Sequence, residues 1–313
     1  MSASKRRISA IIADFVKRES QDPRVIGILL FGSLIKRKTR RTSDIDLLVV
    51  RTDIEEYCRT KQIEEGIPLE VHTWPLELFE RPFKHRTADA LSYAFGFEVM
   101  LTSEILHDPR GILGEFKRHA ETEKIPSSIL NSLVEKAHEY LHLAKDLMES
   151  GELEGAEIET RRAAEELARA MLLRRHVLEI NPPKNYLPHL RSEFPDFYEI
   201  FREVQNLQNL NTTEIELDIS NISNWRSRTA EEIRRLGEEE QYKGAISGSE
   251  TELSNAKDCL EDDDLEGARL QMRYSAIILA TPILRLSQGT SPSSHSARYA
   301  QLIKSNHPYG DVM

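Results

Sequence analysis

The chain is poor in the residues that mark several protein classes. Cysteine is almost absent, with only Cys58 and Cys259, far apart, in 313 residues. A disulfide framework and a cysteine-built zinc site are not indicated, and reduced thiols are expected. Long apolar runs are also missing. No stretch approaches the roughly 20 residues needed to cross a bilayer. The opening Met1-Ser2-Ala3-Ser4-Lys5-Arg6-Arg7 leads into an amphipathic stretch, not into the apolar core of a signal peptide. A cytoplasmic location and no membrane partner are therefore expected. There is no excess of basic charge: 42 Lys and Arg stand against 52 Asp and Glu, a net charge of −10. That argues against a surface that coats nucleic acid, and against polymerisation on tRNA ends. A local basic run at residues 36 to 41 leaves a nucleic-acid contact open. What remains, 39% hydrophobic and 30% charged residues over this length, can bury a real core and favours two domains over one.

The pattern of the first third is mixed. Ile8, Ile11, Ile12, Phe15 and Val16 fall at helical spacing, and Gln21-Asp22-Pro23 ends that helix. Val25 to Phe31 reads as a strand that stops at Gly32-Ser33, and Asp44 to Val50 as a second strand with carboxylates at its leading end. Residues Asp53 to Glu65 read as a helix closed by Gly66, and Ile67 to Trp74 alternates like a half-buried strand. Helices are also expected from Ala88 to Ser103 and after Pro109.

Beyond Pro126 the period becomes helical and strand signals vanish. Two apolar stripes, one from Ile129 to Met148 and one from Leu153 to Met171, predict a helical hairpin turning at Ser150-Gly151. Residues 144–172 align without gaps on 256–284, identical at 13 of 29 positions, so two related helical modules are expected, separated near Gly244 to Gly248. Glu261-Asp262-Asp263-Asp264 reads as an acidic turn at the positive end of a helix. The expected fold class is α+β: a small mixed sheet with flanking helices, then an all-α region with an internal repeat. The expected domains are residues 1–123, 124–242 and 243–313, the last with a mobile serine-rich segment.

The chemistry concentrates around the second strand. Strand side chains alternate faces, so Asp44 and Asp46 share one side while Ile45, Leu47 and Val49 pack on the other. Two like charges about 6.5 to 7 Å apart repel by roughly 2.5 kcal/mol at an effective dielectric near 20, unless a cation intervenes. Hard oxygen ligands at that spacing suit magnesium, which keeps waters and substrate phosphates as its other ligands. Gly32 lets backbone approach a phosphate, Ser33 adds a hydroxyl, and Glu70 leaves its own strand opposite Leu69 and Val71, where it can serve as a third ligand.

The segment FGSLIKRKTRRTSDIDLLVV, with IPLEVHTW after it, resembles the DNA polymerase β-like nucleotidyltransferase superfamily. Its pattern is an apolar residue, Gly-Ser or Gly-Gly, a short spacer, and Asp-apolar-Asp or Glu. By this resemblance Asp44, Asp46 and Glu70 are the catalytic carboxylates and hold two magnesium ions. Gly32, Ser33, Lys36 and Ser43 contact the nucleotide. The implied reaction moves a nucleoside monophosphate, with ATP the expected donor, to a hydroxyl of a small molecule or protein and releases pyrophosphate. Glu70 would be a ligand, or the base or orienter of the acceptor. The short catalytic domain followed by helical hairpins is similar to the kanamycin-type and minimal nucleotidyltransferases, whose helical partners are often HEPN-like. A homodimer or a protein partner is compatible with that architecture. The alternative is a regulatory or toxin-antitoxin-type fusion acting through RNA or a protein. The spacer has no second glycine, and Arg169 with His176 fits only loosely the arginine and histidine of HEPN ribonucleases.

Overall fold

The computed structural model describes residues 3–32, 34–35, 45–84, 89–289 and 298. They fall into two units, Met1–Leu130 and Asn131–Met313. The first unit opens with α1 (Ala3–Glu19) and continues through β1 (Val25–Phe31), β2 (Ile45–Arg51), β3 (Cys58–Glu64) and β4 (Ile67–Pro75). It ends in α2 (Leu76–Lys84), α3 (Ala90–Thr102), β5 (Glu104–His107), α4 (Ile112–Thr122) and the start of α5 (Ser127–Glu149). The five strands form one sheet in the order β3-β4-β2-β1-β5. Only β2 and β4 run parallel; the other neighbours are antiparallel. This is the α+β class that the sequence implies.

Alternation decides which side chains meet the site. Ile45, Leu47 and Val49 of β2 join Val25, Ile28, Leu30, Leu69 and Val71 in a core that Ile11 and Phe15 of α1 complete. The opposite face carries Asp46 of β2 with Glu70, His72 and Trp74 of β4. Rings gather on that side: Trp74 stacks on Phe95 of α3 at 5.4 Å between centroids, and Phe31 meets Phe95 edge-on at 6.5 Å. The start of α3 is fixed by Asp89, whose carboxylate accepts the Leu91 and Ser92 amides.

The helix expected over Asp53 to Glu65 is a strand over most of its length. β3 pairs antiparallel with β4, and Glu65 and Gly66, at φ +50° and +77°, make the reversal between them. Two consecutive left-handed residues are the signature of a tight hairpin turn. A glycine that could close a helix instead turns a ribbon, and pairing with β4 outweighs the helical propensity of a polar segment.

The second unit is helical. After α5 come α6 (Leu153–Arg174), α7 (Pro183–Glu193), α8 (Pro195–Val204), α9 (Thr212–Leu236), α10 (Glu239–Glu261) and α11 (Leu265–Gln288). One core of this unit joins Ile215, Ile219 and Ile222 of α9, Leu253 and Ala256 of α10, and Ala268, Met272 and Ala276 of α11. The small residues let α10 and α11 lie close along their length. Helix α6 starts at Leu153 and α11 at Leu265, in step with the sequence repeat. Asp264, in the acidic turn, caps α11 by accepting the Gly267 amide at 3.0 Å. Helix α10 runs unbroken through Gly244 and Gly248, where a separation is expected from sequence. Each interior glycine costs about 1 kcal/mol relative to alanine, and α10 packs against both α9 and α11 along this stretch of the unit. Among the described residues no helix is long and apolar enough to cross a membrane.

Candidate active site

The register of the sheet builds the site. Asp46 of β2 stands directly opposite Glu70 of the parallel β4, and opposite Phe31 on the other side. Gly32 follows Phe31 at φ +79°, and a Cβ built there would lie 2.1 Å from Oδ2 of Asp46. Glycine is therefore required twice, for the left-handed backbone and for the space the carboxylate occupies. Ser33, Lys36, Ser43 and Asp44 lie outside the described residues.

Glu70 is almost fully buried, and three side chains reach it. Arg59 and Lys61, on β3, stand across the hairpin from His72 and Glu70 respectively. Arg59 Nε forms an ion pair with Oε1 of Glu70, and Lys61 Nζ lies 3.1 Å from Oε2. His72 Nε2 is 2.8 Å from Oε1, and its Nδ1 is 2.8 Å from the hydroxyl of Tyr57. An ionised carboxylate can only accept, so Nε2 carries the hydrogen and donates it. In neutral His72 the other nitrogen then accepts from Tyr57. The ring is also held by Phe31, whose edge meets it at 5.1 Å. Burial by itself would raise the Glu70 pKa, but His72, Arg59 and Lys61 outweigh it and hold the carboxyl well below the usual range. Burial likewise disfavours the Arg59 charge, and Glu70, with Tyr57 and Asp46, more than compensates.

One ligand atom each from Asp46, Glu70 and His72 lies within 4.8 Å of the others, close enough for all three to hold one ion. The donor chemistry selects among them. The two carboxylates are hard oxygen donors of the kind magnesium prefers. His72 already spends its N–H on Glu70, an arrangement that orients a ligand instead of supplying one. The residues present thus fit a divalent cation held through oxygen.

Reasoning from sequence brings Asp46, Glu70 and Gly32 to this point and misses His72, Arg59, Lys61 and Tyr57. His72 was within reach, since it lies two residues beyond Glu70 on the same face of a strand. Arg59 and Lys61 lie in the segment whose pattern predicts a helix, and only its pairing with β4 brings them to Glu70.

With this geometry, a family match is informative. Residues 9–93 match the nucleotidyltransferase domain family. The matched stretch holds β1 through β4 with Gly32, Asp46 and Glu70, so the carboxylate pair lies inside the matched segment. No curated protein matches the chain. The chain is also similar in structure to a nucleotidyltransferase-like protein from Exiguobacterium sibiricum 255-15, at 13% identity and a TM-score of 0.46, over 96% of this chain and 88% of that one.

Proposed function

We propose that the nucleotidyltransferase domain transfers a nucleoside monophosphate, AMP when ATP is the donor, to a hydroxyl on a small molecule or a protein. The observation that carries this reading is the in-register pair Asp46 and Glu70, with Gly32 against Asp46, inside the matched segment. Asp44, Asp46 and Glu70 would hold magnesium, which when bound supplies positive charge to the phosphate oxygens. The chain's own part is positional. Gly32 leaves backbone room for a phosphate, and Ser33, Lys36 and Ser43 are the candidate triphosphate contacts. The acceptor oxygen forms a bond to the α-phosphorus, the bond from that phosphorus to the bridging oxygen breaks, pyrophosphate leaves, and the hydroxyl proton is released to water. A carboxylate held as far below its usual pKa as Glu70 is a weak base, which favours Glu70 as ligand and orienter over proton acceptor. His72 fixes its direction.

Equilibrium binding of α,β-methylene ATP to the full chain tests the reading. Magnesium is expected to raise the affinity of the wild type by tenfold or more, and Asp46→Asn to lose that gain. Equal affinity with and without magnesium in both proteins would contradict it.

A further inference from the structure

In the second unit, α6 and α11 wall a cavity of about 400 Å³, with Tyr140 of α5 and Gln205 at its sides. Sites for small molecules run from about 300 to 1,000 Å³, so the space suits a ligand of modest size. One part of the lining is aliphatic, formed by Ile158, Leu270, Ile277 and Ile278. Beside these, five arginines line the cavity, Arg161, Arg162, Arg169, Arg273 and Arg298, together with the carboxylates Glu165 and Glu166.

Four of the five are answered within the protein, Arg298 by donating to the Thr281 hydroxyl at 2.9 Å. Arg162 pairs with Glu159 at 2.8 Å, donates to the Tyr140 hydroxyl at 2.7 Å and lies over that ring. Arg169 pairs with Glu166 at 2.8 Å and donates to the Tyr274 hydroxyl at 2.7 Å, and Tyr274 in turn donates to Glu165. Arg161 pairs with Glu157. Arg273 differs. It donates to the backbone carbonyl of Gln205 and, among the described residues, forms no ion pair. Burial, and then the nearby Arg161 and Arg269, disfavour its charge and lower its pKa to about 9. Glu157 and Glu165 favour the charge from a distance without pairing to it, and a buried cation so incompletely answered gains from any further negative charge in its surroundings.

The repeat adds an independent observation. Arg273 is the counterpart of Arg161 at the 112-residue offset, both starting helices being in step, and both side chains line this one cavity. The two modules therefore present equivalent guanidiniums to a common space. Planar forks of this kind match phosphate and carboxylate oxygens bidentately. More than one of them around a single space favours a dianion over a monoanion.

We infer that this cavity binds a small organic phosphate, with the phosphate on Arg273 and Arg161 and an apolar body against the aliphatic wall. The inference is independent of the reaction proposed for the first unit. Calorimetric titration of the full chain with phenyl phosphate, phenol and inorganic phosphate tests it. Phenyl phosphate should bind, and phenol should not. Arg273→Met should weaken phenyl phosphate at least tenfold while the ligand-free melting temperature holds or rises, because methionine fills the space without a buried charge. Arg161→Met should weaken it as well, and Asp46→Asn should leave it unchanged. Absence of phenyl phosphate binding, a loss caused by Asp46→Asn but not by Arg273→Met, or a lower melting temperature of ligand-free Arg273→Met would each overturn the assignment. Inorganic phosphate binding as tightly as phenyl phosphate would overturn the apolar half of it.

Discussion

Gly32 couples backbone conformation to the placement of a carboxylate. Alanine there must adopt φ +79° and find room 2.1 Å from Asp46 Oδ2. The left-handed backbone costs about 1 to 2 kcal/mol, and the displaced carboxylate can cost on the order of 100-fold in rate. Gly32→Ala is accordingly expected to lose activity far beyond its loss of stability, which parallel measurements of rate and melting temperature would show. Glu70 makes a prediction in pH. Its folded pKa lies below the unfolded value of about 4.3, so its stabilising effect is fully present above that value and fades as pH falls through the folded one. In metal-free protein, wild type should exceed Glu70→Gln in urea midpoint at pH 7, with the gap closing below about pH 4.3. A gap independent of pH would refute the ionised, triply contacted carboxylate. Asp46 and Glu70 could be read from sequence because alternation fixes their faces. The meaning of His72 could not, because it depends on which atoms of Glu70 and Tyr57 come within reach.

The secondary-structure elements show where local pattern stops being informative. Helix α1 and strands β1, β2 and β4 announce themselves through apolar periodicity, since each buries one or both faces. Strand β3 does not, because it is an edge strand with mostly exposed side chains, and a solvated edge carries no alternating apolar signal. Gly66 then served equally as a helix stop or a hairpin turn, and only pairing with β4 decides between them. The opposite case is α10. Its glycines suggest a break, yet the helix continues, supported by burial of Tyr242, Leu253 and Ala256. An added Cβ at Gly244 meets nothing within 4 Å. Gly244→Ala is therefore expected to stabilise the second unit by about 0.5 to 1 kcal/mol, measured by denaturant unfolding. A loss of stability would mean that Gly244 lies at a break and not inside a helix.

At the scale of the whole chain, two kinds of organisation meet. The first unit uses non-local strand pairing to bring Gly32, Asp46 and Glu70 together from separate segments. The second uses repetition, so that α6 and α11 carry corresponding residues to one cavity. The repeat was visible in the sequence because identities survive at a fixed offset. The cavity was not, because it depends on which helix faces meet. The net charge of −10 does not oppose anionic ligands at either place, since local cations set the potential within a cleft. The central claim is that the α-phosphorus, and not the γ-phosphorus, is transferred. The direct test incubates the protein with magnesium and ATP labelled at either the α or the γ position, together with small-molecule, RNA and protein fractions of a lysate, beside an Asp46→Asn control. The account predicts that α-label enters one fraction only with intact Asp46, while γ-label leaves as pyrophosphate. Transfer of γ-label to an acceptor, or α-label transfer that survives Asp46→Asn, would contradict it.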